Sequence, residues 1–172
     1  METVYLSLGA NMGERAENIA RAIEALAQRG VRVTRESSLY ETEPVEMASQ
    51  GWFLNCVVEA ETDLAPEALM RALLEIEKSL GRERRVLHGD RPIDIDILLY
   101  GASVVRTNEV EIPHLRMAER RFVLVPLAEI APGAVHPVLK KTIAELLAAT
   151  PDRSQVRIYK ESSPQRLMPQ SP

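Results

Sequence analysis

Two aspartates stand two residues apart in the segment IDIDILLY, residues 93–100. The alternation of residue types predicts a β-strand, on which Asp94 and Asp96 share a face with Cα atoms about 6.5–7 Å apart. Leu98 and Tyr100 are expected to continue that face, and Leu99 to join the isoleucines opposite. Neighbouring carboxylates on a partly dry face repel each other unless a cation lies between them, and hard oxygen ligands favour Mg²⁺. A solvated acidic face is the alternative interpretation.

Arginines crowd the loop before this strand, at positions 82, 84, 85 and 91. Guanidinium groups bind phosphate through paired N–H donors, so arginines beside a carboxylate pair indicate polyphosphate chemistry. A solvated charged loop is the alternative. The chain contains neither GxxxxGK[ST] nor GxGxxG, which excludes a P-loop and a protein-kinase nucleotide site. The spacing of Gly9 and Gly13 is too weak a signal to use.

A third segment, PHLRMAERRFVLVPL at residues 113–127, combines His114 and Arg120 with Phe122. The chain has one other phenylalanine, Phe53, and it lies two residues before Asn55. An aromatic ring near a side-chain amide suits a flat heterocycle, bound by stacking and by hydrogen bonds at its edge. Two core phenylalanines and a structural histidine are the alternative.

The elements that must position these residues follow from apolar periodicity. Strands are predicted at 4–8, 31–40, 53–60 and 93–100, with a turn over 9–13. Helices are predicted at 16–30 and 63–80, the second with Asp63 as N-cap and Pro66 in its first turn. The order βαββαβ predicts an α+β fold, a ferredoxin-like antiparallel sheet with both helices on one face. Helical segments follow over 113–150.

Composition places the chain among ordinary globular proteins. It has 172 residues, 45% hydrophobic and 27% charged, with a net charge of −4 that disfavours general nucleic-acid binding. The single cysteine, Cys56, excludes an intrachain disulfide and is expected to be a buried hydrophobe. No apolar run reaches 18 residues. We expect one domain over 1–160, a mobile tail over 161–172, and a cytoplasmic monomer without nucleic-acid or membrane partners.

Four segments together carry a resemblance to a known family. They are YETEP at 40–44, FLN at 53–55, GDRPIDIDIL at 89–98 and PHLRMAERRFVL at 113–124. In order and spacing they resemble the 6-hydroxymethyl-7,8-dihydropterin pyrophosphokinases of folate biosynthesis, from about residue 3 to residue 147. Glu46, His88 and Asp90 depart from the family pattern, which more often has glycine, an aromatic residue and proline there.

The resemblance implies an ATP-dependent pyrophosphokinase that uses two Mg²⁺ ions and releases AMP. It implies metal ligands at Asp94 and Asp96, which with Arg82 and Arg91 make up the catalytic set. The implied ATP-binding residues are Glu77, Arg82, Arg84, Arg91, His114 and Arg120. The implied pterin-binding residues are Thr42, Pro44, Phe53, Asn55 and Phe122, with the ring between the two phenylalanines. The alternatives are a ferredoxin-like module that senses a small molecule or binds RNA without catalysis.

Overall fold

The computed structural model describes residues 1–43, 52–81 and 92–160. The predicted βαββαβ order is confirmed, with the second predicted strand divided in two. The elements are β1 (Glu2–Ala10), α1 (Arg15–Ala27), β2 (Val31–Glu36), β3 (Tyr40–Thr42), β4 (Phe53–Thr62), α2 (Pro66–Ser79) and β5 (Asp94–Tyr100). It continues with the short strands β6 (Val105–Arg106) and β7 (Glu111–Ile112), a 3₁₀ turn (Met117–Glu119), α3 (Arg121–Ile130), α4 (Ile143–Ala149) and β8 (Val156–Ile158).

The main sheet is antiparallel and runs in the order β5-β1-β4-β3-β8, with β2 also paired to β4. The strand predicted over 31–40 is therefore interrupted, and its two parts lie along different stretches of β4. The interruption falls at Ser37, whose Oγ accepts a hydrogen bond from the amide of Val57 at 2.9 Å. A serine hydroxyl thus replaces one backbone acceptor of the ladder.

Helices α1 and α2 cover one face of the sheet. Their buried apolar residues recur at helical spacing, Ile19, Ala22 and Leu26 on α1 and Leu69, Leu73 and Ile76 on α2. They pack on Val4, Leu6 and Leu8 of β1 in one core cluster. Pro66 begins α2 as predicted. The prediction of Asp63 as N-cap was wrong, because the N-cap residue is Ala65. The proline ring presets the first helical turn, so no capping side chain is needed.

Helices α3 and α4 pack against the other face of the sheet, over Val57, Leu98 and Leu99. A β-bulge beside Tyr5 and Leu6 shifts the register between β1 and β5. The shift reverses the predicted faces of Leu99 and Tyr100. Leu99 belongs to the buried residues under α3 and α4 (the α3 cluster), and Tyr100 belongs to the buried residues between the sheet and helices α1 and α2 (the α1–α2 core). A bulge adds one residue to one strand, so side chains beyond it change face.

Burial governs the chemistry of two further side chains. Cys56 is 1% exposed, and burial raises the pKa of its thiol to about 12, which confirms the predicted buried hydrophobe. Tyr40 reaches across to α3, where its hydroxyl donates to Glu129 at 2.7 Å.

Among the helices of the described ranges, none has the length and apolarity needed to cross a bilayer.

The turn before α4 gives the fold a sensitivity to acid. His136 is 6% exposed, its Nδ1 accepts from the amides of Val138 and Leu139, and burial lowers the pKa of its imidazole. The unfolded chain therefore binds a proton more readily, so the stabilisation is present above about pH 6.5 and is lost as pH falls below it.

We expect the melting temperature to fall from pH 7 to pH 5, and to fall less steeply in His136→Asn, which retains an acceptor. If calorimetry shows the same fall in melting temperature with pH for wild type and His136→Asn, the prediction is wrong.

Candidate active site

The carboxylate pair lies on β5, the strand at one edge of the sheet. Asp94 and Asp96 are half-buried and alternate with Ile95 and Ile97, which face the α1–α2 core. The pair therefore faces the other side of the sheet, where Asp94 stands opposite Gly9 and Asp96 opposite Ser7. Within the described ranges no third His, Cys, Asp or Glu completes a group able to hold a metal. Two carboxylates fit Mg²⁺, which usually takes one or two from the protein and the rest of its ligands from phosphates and water.

A buried glutamate supports this strand from α2. Glu77 is 2% exposed, and its Oε2 accepts a hydrogen bond of 2.7 Å from the backbone amide of Ile95, between the two aspartates. An edge strand has amides that no neighbouring strand pairs, and here a carboxylate provides the acceptor. Glu77 thus fixes the backbone that carries Asp94 and Asp96, a contact that the sequence did not predict. Its assignment to ATP stays a prediction.

The polar residues assigned to the pterin lie on the same face, two strands away. Asn55 is 4% exposed, and its Nδ2 donates to Thr42 Oγ1 at 2.7 Å. Thr42 pairs with Phe53 across β3 and β4, which places the half-buried phenylalanine beside this amide–hydroxyl pair. The structure therefore brings Thr42, Phe53 and Asn55 together.

Gly9 separates the two groups of polar residues. It was predicted in a turn, but β1 continues to Ala10, and Gly9 lies opposite Asp94 on one side and Asn55 on the other. A Cβ on Gly9 would lie 2.6 Å from Asn55 Oδ1, closer than van der Waals contact allows. The missing side chain leaves room for the Asn55 amide. It also leaves the sheet surface between the Asn55 amide and the carboxylates uncovered. The spacing of Gly9 and Gly13 does not reveal the requirement for glycine at position 9, because that requirement comes from Asn55 on a neighbouring strand.

We expect Gly9→Ala to weaken pterin binding at least about tenfold, because displacing Asn55 disrupts its bond to Thr42. Titration calorimetry with the pterin measures the change. Ala10→Gly is the control, since Ala10 is the next residue on the same strand and faces the α1–α2 core. Unchanged pterin affinity in Gly9→Ala would show that the Asn55 amide does not hold the ligand.

His114 lies against the carboxylate-bearing strand β5, on the chain that follows it, and Arg120 lies near His114. The amide of His114 donates to the carbonyl of Leu98 on that strand at 3.1 Å. Burial, and then the positive charge of Arg120, lower the pKa of His114, while the carboxylates of Asp94 and Glu111 act in the opposite direction. His114 is therefore within electrostatic reach of both Asp94 and Arg120, and its lowered pKa favours the neutral imidazole.

Phe122 lies in the first turn of α3, half-buried against the cluster that includes Val57. The guanidinium of Arg120 stands over its ring, 5.6 Å from the centroid. Phe53, Asn55 and Val57 alternate onto the sheet face that α3 covers, so both phenylalanines belong to this side of the molecule. That they enclose a pterin ring stays a prediction.

Several predicted site residues lie outside the described residues. They are Pro44, Arg82, Arg84 and Arg91, together with the departures from the family pattern at Glu46, His88 and Asp90 and the tail from 161 to 172.

The architecture defines a ferredoxin-like α+β protein whose polar site lies on the sheet face opposite α1 and α2. A family model described as 7,8-dihydro-6-hydroxymethylpterin-pyrophosphokinase matches residues 5–132. The chain belongs to this family, as its motifs predicted.

Relatives and solved structures agree with this assignment. The chain is 44% identical over 149 residues to a 2-amino-4-hydroxy-6-hydroxymethyldihydropteridine pyrophosphokinase of Methylorubrum extorquens, covering 86% of this chain and 93% of the relative. It is 43% identical over 143 residues to a folic acid synthesis protein of Pneumocystis carinii, covering 83% of this chain but only 19% of that longer protein. A Plasmodium falciparum HPPK-DHPS crystal structure with pteroate shares the fold, with a TM-score of 0.68 at 15% identity over 86% of this chain and 42% of that chain.

Proposed function

We propose that this chain transfers the β,γ-pyrophosphoryl group of ATP to the hydroxymethyl oxygen of 6-hydroxymethyl-7,8-dihydropterin and releases AMP. One observation carries the proposal beyond family membership. A carboxylate pair suited to Mg²⁺–phosphate and an amide–hydroxyl pair suited to a heterocycle share one sheet face, two strands apart across Gly9. At about 4.8 Å per strand, Asp94 and Asn55 are separated by about 10 Å, the span of a pterin with its reacting arm.

The reaction needs positioning more than a strong nucleophile. The hydroxymethyl oxygen attacks the β-phosphorus, the bond from that phosphorus to the α-phosphate oxygen breaks, and the hydroxyl proton passes to solvent. Asn55 and Thr42 orient the heterocycle through its polar edge, and the rings of Phe53 and Phe122 stack on its faces. This leaves the hydroxymethyl arm directed toward the β5 edge.

Charge neutralisation falls to the other half of the site. Asp94 and Asp96 would hold two Mg²⁺ ions, which when bound neutralise the triphosphate and orient the attacking and leaving oxygens. Arg120 binds phosphate oxygens, and neutral His114 donates a hydrogen bond without adding charge. Arg82, Arg84 and Arg91 complete the proposed set, with Arg82 and Arg91 beside the transferred group and Glu77 close to the nucleotide.

The proposal extends to the protein's setting. We place a monomeric enzyme in the cytoplasm, with one domain over 1–160 and no nucleic-acid or membrane partner. The non-catalytic alternatives, a sensing module or an RNA-binding module, are not favoured, because the matched family consists of pyrophosphokinases.

One incubation tests the proposed reaction. The protein is mixed with ATP, Mg²⁺ and 6-hydroxymethyl-7,8-dihydropterin, and the nucleotides are separated by ion-exchange chromatography. We expect AMP to accumulate only when the pterin is present. ADP in place of AMP would indicate a simple kinase, and unchanged ATP would favour a non-catalytic module.

A further inference from the structure

The segment after α4, residues 150–159, runs from the start of α3 to the outer side of β3. The sequence assigned no site residue to it. It contacts α3, which carries Phe122, through a helix cap at one end, and at the other end its strand β8 pairs with β3, the neighbour of the strand β4 that carries Phe53. The segment thus links the surroundings of the two proposed pterin-binding aromatic residues. It is therefore placed to set the distance between them.

Asp152 caps α3 from a distance. Its Oδ2 accepts from the amide of Arg121, the first residue of the helix, at 2.7 Å, and its Oδ1 accepts from the amide and hydroxyl of Ser154 at 2.9 and 2.6 Å. Burial raises the pKa of Asp152, but these hydrogen bonds and the charge of Arg121 outweigh it and lower the pKa overall. The N-cap residue Arg120 contributes no side-chain cap of its own.

The capped residue lies between two proposed ligand contacts. Arg121 stands directly between Arg120, assigned to phosphate, and Phe122, assigned to the pterin ring. A carboxylate on the first free amide of a helix satisfies a donor and complements the helix dipole. Without this carboxylate we expect the first turn of α3 to fray. The backbone would then no longer hold the side chains of Arg120 and Phe122 in place.

Strand β8 fixes the opposite side of the pocket. It pairs with β3 so that Val156 stands opposite Thr42 and Arg157 opposite Glu41. A three-residue strand paired on one side only is weakly held, and β8 gives β3 a second partner. The position of Thr42 is thereby set from both sides, by Phe53 and by Val156.

Arg157 extends this hold to the residue before Phe53. Its guanidinium stands 4.2 Å from the ring centroid of Trp52 and 3.3 Å from an oxygen of Glu41. The carbonyl of Trp52 accepts from Arg15 at 2.8 Å, and Arg15 also pairs with Glu41 at 3.1 Å. Backbone and ring of Trp52 are therefore both held.

We infer that Asp152 and Arg157 are positioning residues, which hold the Phe122 side and the Phe53 side of the pterin pocket at a fixed separation without touching substrate. The inference rests on the proposed function, since it concerns the geometry of that site. It makes the C-terminal segment a determinant of substrate affinity and not only of stability.

Binding measurements with matched controls test this. Pterin and α,β-methylene ATP are titrated into wild type, Asp152→Ala and Arg157→Ala well below their melting temperatures. Thr142→Ala is the control for the cap, because the Thr142 side chain also accepts a backbone amide at the start of a helix, that of α4. Arg21→Ala is the control for the ion pair, because Arg21 is 58% exposed on α1 and Arg157 is 53% exposed.

We expect Asp152→Ala to weaken both ligands about tenfold, and Arg157→Ala to weaken the pterin about tenfold with nucleotide affinity unchanged. The controls should stay within about twofold at a similar loss of melting temperature. The chain has one tryptophan, so its emission reports Trp52 alone and should shift in Arg157→Ala.

Ligand affinities in both variants equal to those of the controls would overturn the inference and leave the proposed function standing. Failure of the wild type to bind pterin would overturn the proposed function itself. If Asp152→Ala does not fold, Arg157→Ala decides alone, because its half-exposed side chain is not needed for the core.

Discussion

Replacing Asp94 or Asp96 with alanine is expected to lower the turnover number at least about 100-fold. Residues that only support a metal ligand already contribute about 10–100-fold in other metalloenzymes, so loss of a carboxylate ligand costs more. Both side chains are half-buried on an edge strand, whereas Ile95 and Ile97, which alternate with them, belong to the core. The fold should therefore survive each change, and without Mg²⁺ the melting temperature should stay the same or rise, because carboxylate repulsion is relieved.

AMP formation at saturating ATP and pterin, together with calorimetric melting, measures both halves of this result. Asp63→Ala is the matched control, because Asp63 is 79% exposed and pairs only with the N-terminal ammonium among its described contacts. Normal turnover in both Asp94→Ala and Asp96→Ala would show that the pair is a solvated strand face.

Replacing Phe53 or Phe122 with alanine is expected to weaken pterin binding by about 1–3 kcal/mol, or roughly 5- to 150-fold in Kd. The estimate follows from the loss of one stacking surface on a flat heterocycle. Nucleotide affinity should change much less, because neither ring is assigned to ATP. Titration of each variant with pterin and with α,β-methylene ATP separates the two effects.

A neighbouring core residue provides the comparison for these variants. Val123 follows Phe122, is 3% exposed and lies in the α3 cluster. Val123→Ala should lower the melting temperature without selecting between the ligands. If the phenylalanine variants lose affinity for both ligands equally, they act through core damage, and the stacking assignment is wrong.

The core fold was predictable because its signals are local. Alternation in β1 and β5, the helical stripe ending in Leu26, and Pro66 at the first position of α2 all depend on neighbouring residues. The pairing of Asp94 with Asp96 on one face follows from strand geometry alone, and the structure confirms that placement. Composition also singled out Phe53 and the nearby Asn55 as candidates, since the chain has so few aromatic side chains, and their role toward the pterin stays a prediction.

The remaining features depend on contacts between distant segments. Gly9 matters because of Asn55, which lies 46 positions later, and Glu77 matters because of an edge amide on β5. The bulge that moves Tyr100 into the core reflects the register of two strands and not the composition of either. Strand β8 is too short to show a period, and Asp152 caps a helix that begins 31 residues earlier. No local pattern in the sequence carries these relations.

The central claim is that the β- and γ-phosphates of ATP move together to the pterin. Parallel reactions with ATP carrying ³²P at either the β or the γ position test it directly, with the pterin product isolated by chromatography. The account predicts that both labels appear in the pterin product in equal yield and that the released AMP carries neither. Transfer of the γ label alone, with the β label retained in ADP, would contradict it.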